Sequence, residues 1–148
     1  MATTWILVAN RSTALIYQSR GPGIEWEVLK KMVHPEGRMK NSELASDSGG
    51  RNNTADGRGS RPAVEWSTSP REAEARKFAQ EIAAELSEGR VHQKYDRLLL
   101  VTSPEFMGKV KECLDSQVQE KIIETITKDY VTLPVKDVRE KVNSVILV

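Results

Sequence analysis

The chain has one cysteine, Cys113, and two histidines, His34 and His92, among its 148 residues. A lone cysteine excludes an intrachain disulfide framework, and no Cys or second His stands at metal-ligand spacing to either histidine. No metal site and no cofactor are therefore expected. His92 follows a predicted helix end, where the dipole favours a cation. Cys113 falls beside an apolar stripe and reads as a small core residue. Long hydrophobic runs are also lacking. The first, Trp5 to Ala9, is too short for a signal-peptide core, and nothing approaches the roughly 18 apolar residues of a membrane span. These absences give the expectation of a cytoplasmic protein in a reducing compartment, without a membrane partner.

An excess of charge of one sign is missing too. Lys and Arg number 22 against 21 Asp and Glu, a net charge of +1. Residues 1–68 hold 9 basic and 7 acidic residues, and 69–148 hold 13 and 14. No global field steers the chain toward nucleic acid or anionic lipid, so any basic footprint must be local. With 39% hydrophobic and 29% charged residues the composition is that of a globular chain. A chain of about 150 residues suits one domain, and a single domain over 1–148 is expected.

The continuous apolar run over residues 3–9 predicts a strand buried on both faces. The polar turn Asn10-Arg11-Ser12-Thr13 leads to a second strand at Ala14-Leu15-Ile16-Tyr17, and Arg20-Gly21-Pro22-Gly23 to a third over Ile24 to Val33, with Trp26 and Val28 on one face. Ser69-Pro70-Arg71-Glu72 is a helix start, with Ser69 as cap and Pro70 at the first helical position. Ala75, Phe78, Ala79, Ile82 and Leu86 then recur at helical spacing, and Gly89 is expected at the stop. Arg97 to Val101 predicts a further buried strand and Ser103-Pro104-Glu105 a second helix, with Phe106, Val110 and Leu114 on its stripe. After a polar break near Asp115, a helical turn forms around Val118. A β-branched strand from Ile122 to Thr127 follows, then a last helix carrying Val135, Val138 and Val142. The order βββαβαβα predicts an α/β protein of three layers, with a five-stranded mixed sheet.

Between Glu36 and Pro62 there are four apolar residues, Met39, Leu44, Ala45 and Ala55, and five of the nine glycines. Such a stretch buries too little to offset its ordering entropy, so a long mobile loop is expected over 36–68. Loops of this length are often functional. Its sharpest feature is Ser48-Gly49-Gly50-Arg51-Asn52. Within 49–63, Arg51, Arg58 and Arg61 face the single acid Asp56. Guanidinium forks among small residues suit phosphate contacts, so Gly49, Gly50, Arg51, Arg58 and Arg61 are candidate RNA-binding residues. A solvated loop whose arginines are incidental is the alternative. His34, Pro35, Glu36, Gly37 and Arg38 are expected to anchor the loop.

Catalytic signatures are sparse. Gly57-Arg58-Gly59 lacks the third spaced glycine of the dinucleotide motif, and there is no phosphate-loop Gly-Lys-Ser/Thr. No Gly-x-Ser-x-Gly elbow occurs. Two-metal nuclease chemistry needs carboxylates converging on the sheet, yet neither Trp5 to Ala9 nor Leu98 to Thr102 carries an acid.

Several segments together resemble one family, the bacterial proteins required for attachment to host cells. They are Trp5-Ile6-Leu7-Val8-Ala9-Asn10 with Ala14 and Tyr17, Val33-His34-Pro35-Glu36-Gly37-Arg38, and Ser46-Asp47 with Gly50-Arg51. Further along come Phe78-Ala79-Gln80-Glu81-Ile82-Ala83, Tyr95-Asp96-Arg97-Leu98-Leu99-Leu100-Val101 with Pro104, Phe106, Met107 and Gly108, and Lys128-Asp129. The similarity spans nearly the whole chain, with Asn10 where the family often has Asp. That family resembles the middle domain of archaeal and eukaryotic peptide-chain release factors, of ribonuclease H-like fold. The resemblance implies the sheet order 3-2-1-4-5, with the second strand antiparallel. It also implies that the loop after the third strand stands where release factors carry Gly-Gly-Gln. Here the loop reads Gly49-Gly50-Arg51, and no Gln occurs between Gln18 and Gln80. The expectation is a non-enzymatic factor associated with the ribosome or another structured RNA. The alternatives are a protein-interaction factor acting directly in attachment, and a peptidyl-tRNA or ester hydrolase with a substituted loop motif. Nothing in the sequence sets the oligomeric state.

Overall fold

A computed structural model of the chain describes residues 2–39 and 69–148. Its strands are β1 (Thr4–Ala9), β2 (Thr13–Ser19), β3 (Glu27–Val33), β4 (Arg97–Thr102) and β5 (Ile122–Ile126). Its helices are α1 (Pro70–Val91), α2 (Pro104–Cys113), the single turn α3 (Ser116–Gln119) and α4 (Val135–Asn143). The five strands form one mixed sheet in the order β3-β2-β1-β4-β5. β1 pairs antiparallel with β2 and parallel with β4, and β4 pairs parallel with β5. The α/β class, the sheet order and the reversed second strand all agree with expectation.

β1 and β4 read as continuous apolar runs because they lie at the centre of the sheet and are covered on both sides. Trp5, Leu7, Leu98 and Leu100 face a core built with Phe78, Ile82 and Leu86 of α1 and Phe106 and Val110 of α2. Ile6, Val8, Leu99 and Val101 face a second core with Val138 and Val142 of α4 and with Val148. Alternate residues of each strand thus supply opposite cores, which gives the three layers.

Ser69 caps α1, its hydroxyl accepting from the Glu72 amide at 3.2 Å, with Pro70 at the first position. Gly89 does not stop this helix, which continues to Val91. Its hydrogen occupies the only space left by Trp5, whose ring lies 2.5 Å from where a Cβ would stand. The left-handed residue after the helix is Gln93, at φ 56°. β3 begins at Glu27 rather than Ile24. Gly21 and Gly23 take positive φ and the Ile24 amide closes back on the Gly21 carbonyl, so the turn runs on to residue 24. Trp26 is buried against Tyr17 while Val28 is 57% exposed, so the two do not share one buried face.

The first residues of the expected 36–68 loop are ordered as a short turn. Pro35–Arg38 form a 3-10 turn, closed by the Gly37 amide on the His34 carbonyl at 2.8 Å. The remaining expected loop residues from 40 to 68, with Gly49, Gly50, Arg51, Arg58 and Arg61, lie outside the described residues. No helix among the described residues is long and apolar enough to cross a membrane.

Candidate functional site

The three parallel strands all end at one edge of the sheet, and each end delivers a polar residue there. Asn10 follows β1, Ser103 follows β4, and Asp129 lies three residues beyond β5. Together with Arg11, Ser12, Gly37, Arg71 and Glu105 they line an open cleft of about 150 Å³. The chain order reverses between β1 and β4, a switch point where the strand ends leave a crevice in open α/β sheets.

Asn10 organises the turn into β2. Its Oδ1 accepts from the amides of Ser12 and Thr13, both at 2.9 Å, and from the Ser12 hydroxyl at 3.1 Å. This local side-chain acceptor holds the tight reversal. Its Nδ2 donates to Asp129, at 3.3 Å to Oδ1 and 3.1 Å to Oδ2. The backbone amide of Val131 also donates to Asp129 Oδ1, at 3.2 Å.

Arg11 is buried beneath the cleft. Its Nη2 donates to the Arg71 carbonyl at 2.7 Å, and its Nη1 lies 4.0 Å from Glu72. Burial, with the like charge of Arg71, lowers the pKa of this guanidinium, against the opposing pull of Glu105 and Glu72. Glu72 is itself paired with Lys109 at 2.5 Å, and Arg71 Nη2 stands 3.9 Å from Glu105. Lysine hydrogen bonding holds the Glu72 carboxyl below its ordinary range, against a smaller cost of burial.

The His34 to Arg38 segment packs against this turn. The His34 amide donates to the Ser12 carbonyl at 2.7 Å, and Arg38 Nε donates to the Ser12 hydroxyl at 3.2 Å. A Cβ on Gly37 would overlap the Arg11 carbonyl, so no larger residue fits there without a backbone shift. The His34 ring stacks on Phe78, with centroids 5.1 Å apart and planes at 9°. Its Nε2 lies 2.8 Å from Glu74 Oε1 and its Nδ1 3.8 Å from Glu36 Oε1. One ligand atom from each of His34, Glu36 and Glu74 lies within 4.8 Å of the others. The two ring nitrogens face different carboxylates, and the arrangement is that of a hydrogen-bonded hub joining the 3-10 turn to α1.

Of the residues singled out in the sequence, the structure brings His34, Gly37 and Arg38 against the β1–β2 turn. Glu74, Asp129, Ser103 and Arg11 complete the constellation without having been marked as site residues. Asn10 and Asp129 stood out only as positions of family resemblance, and the sign that joins them is the sheet order. His92 is the C-cap of α1, and Cys113 is half-buried at the edge of the first core, where burial pushes its thiol pKa up.

Fold and cleft together define a three-layer α/β protein with a polar crevice at the switch point of its sheet. The chain belongs to the family described as "Protein required for attachment to host cells", which matches residues 5–142. None of the curated proteins matches the sequence. Among solved structures, an archaeal translation termination factor is similar at 12% identity and a TM-score of 0.48, over 97% of this chain and 39% of that one. A Ppx/GppA phosphatase from Aquifex aeolicus is similar at 9% identity and a TM-score of 0.41, over 85% of this chain and 35% of the other. The chain thus spans well under half the length of either, and neither likeness bears on what it does.

Proposed function

We propose that this host attachment family protein is a non-enzymatic factor that associates with RNA, the ribosome foremost. In this reading Gly49, Gly50, Arg51, Arg58 and Arg61 contact RNA phosphates, and attachment to host cells is an indirect outcome. One observation carries the proposal. The residues flanking the 40–68 segment on both sides are tied to the same β1–β2 turn, Arg38 through Ser12 and Arg71 through Arg11. His34 adds a second tie between the two flanks, through Glu74 of α1. A segment whose two ends are fixed to one rigid turn loses less entropy on binding than a free tail of the same sequence. The segment's own composition, three arginines against one acid over 49–63 with four glycines, suits a phosphate backbone. His34, Pro35, Glu36, Gly37 and Arg38 act as the anchor and do not touch the RNA.

Co-sedimentation of the full chain with purified ribosomes at low salt tests this. The wild-type protein should pellet with the ribosomes, and the triple variant Arg51→Ala, Arg58→Ala, Arg61→Ala should stay in the supernatant. Absence of wild-type pelleting, or equal pelleting of the variant, rejects the reading.

A further inference from the structure

Two buried donors at the cleft have no hydrogen-bond partner among the described residues. Arg11 and Ser103 are each 6% exposed, and Arg11 Nε and Ser103 Oγ are both unsatisfied. Native proteins satisfy nearly all buried polar atoms, so two such groups on residues lining one cleft mark a place where something else completes them. Three further unpartnered atoms, on Trp26, Arg90 and Arg139, belong to residues that do not line this cleft.

The chemistry of the two groups narrows what that something is. A guanidinium Nε–H can only donate, and a serine hydroxyl with no acceptor in place is free to donate. Ser103 also stands at the N-cap of α2, yet its side chain makes no capping bond, whereas Ser69 at α1 does. The N-terminus of this ten-residue helix therefore meets the cleft uncapped by its serine, with the positive end of its dipole there. Rotation about one χ1 is all that Ser103 needs to turn its hydroxyl to a ligand. The cleft volume, about 150 Å³, holds a group of phosphate size but falls below the roughly 300 Å³ at which pockets for whole small molecules begin.

We infer that the cleft binds a phosphate-class oxyanion, held by the Arg11 guanidinium, the Ser103 hydroxyl and the N-terminus of α2. The site lies wholly within the described body and does not rest on the RNA reading of the 40–68 segment. Two carboxylates share its lining. Asp129 is occupied by Asn10 and the Val131 amide, while Glu105, 3.9 Å from Arg71, opposes an incoming anion. Binding is accordingly weak in the wild type, and removing the Glu105 charge strengthens it. Burial and the like charge of Arg71 disfavour the charged form of Arg11, so a bound anion returns part of what the free site loses. The phosphoryl group can come from free phosphate and its monoesters or from the diester backbone of a nucleic acid.

Calorimetric titration of the full chain with inorganic phosphate tests the site, with ionic strength held constant by chloride. The wild type should show saturable single-site binding, on the order of millimolar. Ser103→Ala should weaken it about tenfold, as loss of a charge-assisted hydrogen bond does. That variant should keep the wild-type melting temperature, because the hydroxyl has no partner to lose. Glu105→Gln should tighten binding several-fold, a gain that a merely structural role of the cleft would not produce. A second arm adds an oligouridylate without terminal phosphate. Ser103-dependent competition with phosphate identifies the diester as a ligand, and its absence identifies the free anion or monoester. No saturable wild-type binding, or equal binding by all three proteins, overturns the inference.

Discussion

Asn10 Nδ2 reaches both carboxylate oxygens of Asp129, at 3.3 and 3.1 Å, joining the end of β1 to the segment after β5 across 119 residues of chain. The same amide group turns its oxygen to three donors of the β1–β2 turn. Asn10→Asp keeps those acceptors but replaces the donor by a second carboxylate against Asp129. The variant should lose about 1 kcal/mol at neutral pH, the scale of a lost hydrogen bond plus a partly exposed like-charge contact. Added salt should recover part of the repulsive contribution by screening it. Urea unfolding at pH 7, at low and at high salt, checks this.

Gly37→Ala is expected to be costly for reasons of space alone, since the added carbon meets the backbone carbonyl of Arg11 and no rotamer change relieves it. Overpacking of this kind typically costs roughly 1–3 kcal/mol. Denaturant titration should show a lower midpoint with an unchanged slope, while Gly108→Ala, with open space around its Cβ, serves as the control and should be neutral or mildly stabilising.

Glu72 bears on acid stability. Its folded pKa is depressed, chiefly by the hydrogen bond from Lys109. Its contribution is therefore present above the unfolded carboxylate pKa, near 4.3, and is lost as pH falls through the lower folded value. The difference in stability between wild type and Glu72→Gln should be largest at neutral pH and shrink on acidification. Paired unfolding curves at pH 3 and pH 7 measure it.

Tyr95 sets the alkaline limit. The hydroxyl donates to the Leu86 carbonyl at 2.7 Å, and burial raises its pKa to about 12. The unfolded phenol ionises near pH 10, so the stability this group contributes is whole below that pH and is lost as pH rises toward the folded value. Tyr95→Phe should lower neutral-pH stability by about 1 kcal/mol for the lost bond. It should also flatten the alkaline fall that wild type shows. Tyrosinate absorbance followed during alkaline titration identifies the late-ionising group.

How much of this could be read from the sequence varied with burial. The runs Trp5 to Ala9 and Leu98 to Thr102 announce central strands because both of their faces are covered. The start of α1 is legible because a capping serine and a first-turn proline act locally. β3, exposed along nearly its whole length at the sheet edge, carries no alternation to mark where it begins. Gly89 shows the limit of local rules, since a glycine that stops a helix and one that admits an indole look alike in sequence. The cleft was the least legible part. Asn10, Ser103 and Asp129 are each unremarkable as turn or cap residues, and only the order of the sheet brings them together.

The proposed contact of Arg51, Arg58 and Arg61 with RNA phosphates is open to direct measurement. The most direct measurement is ribosome affinity as a function of salt, for the wild type and for the variant with Arg51, Arg58 and Arg61 replaced by Ala. Each phosphate contact contributes about one unit of slope in the logarithmic plot. The wild-type slope should be steep and should become shallower by about two to three units in the variant. A wild-type affinity independent of salt, or the same slope in both proteins, would contradict the proposed contact.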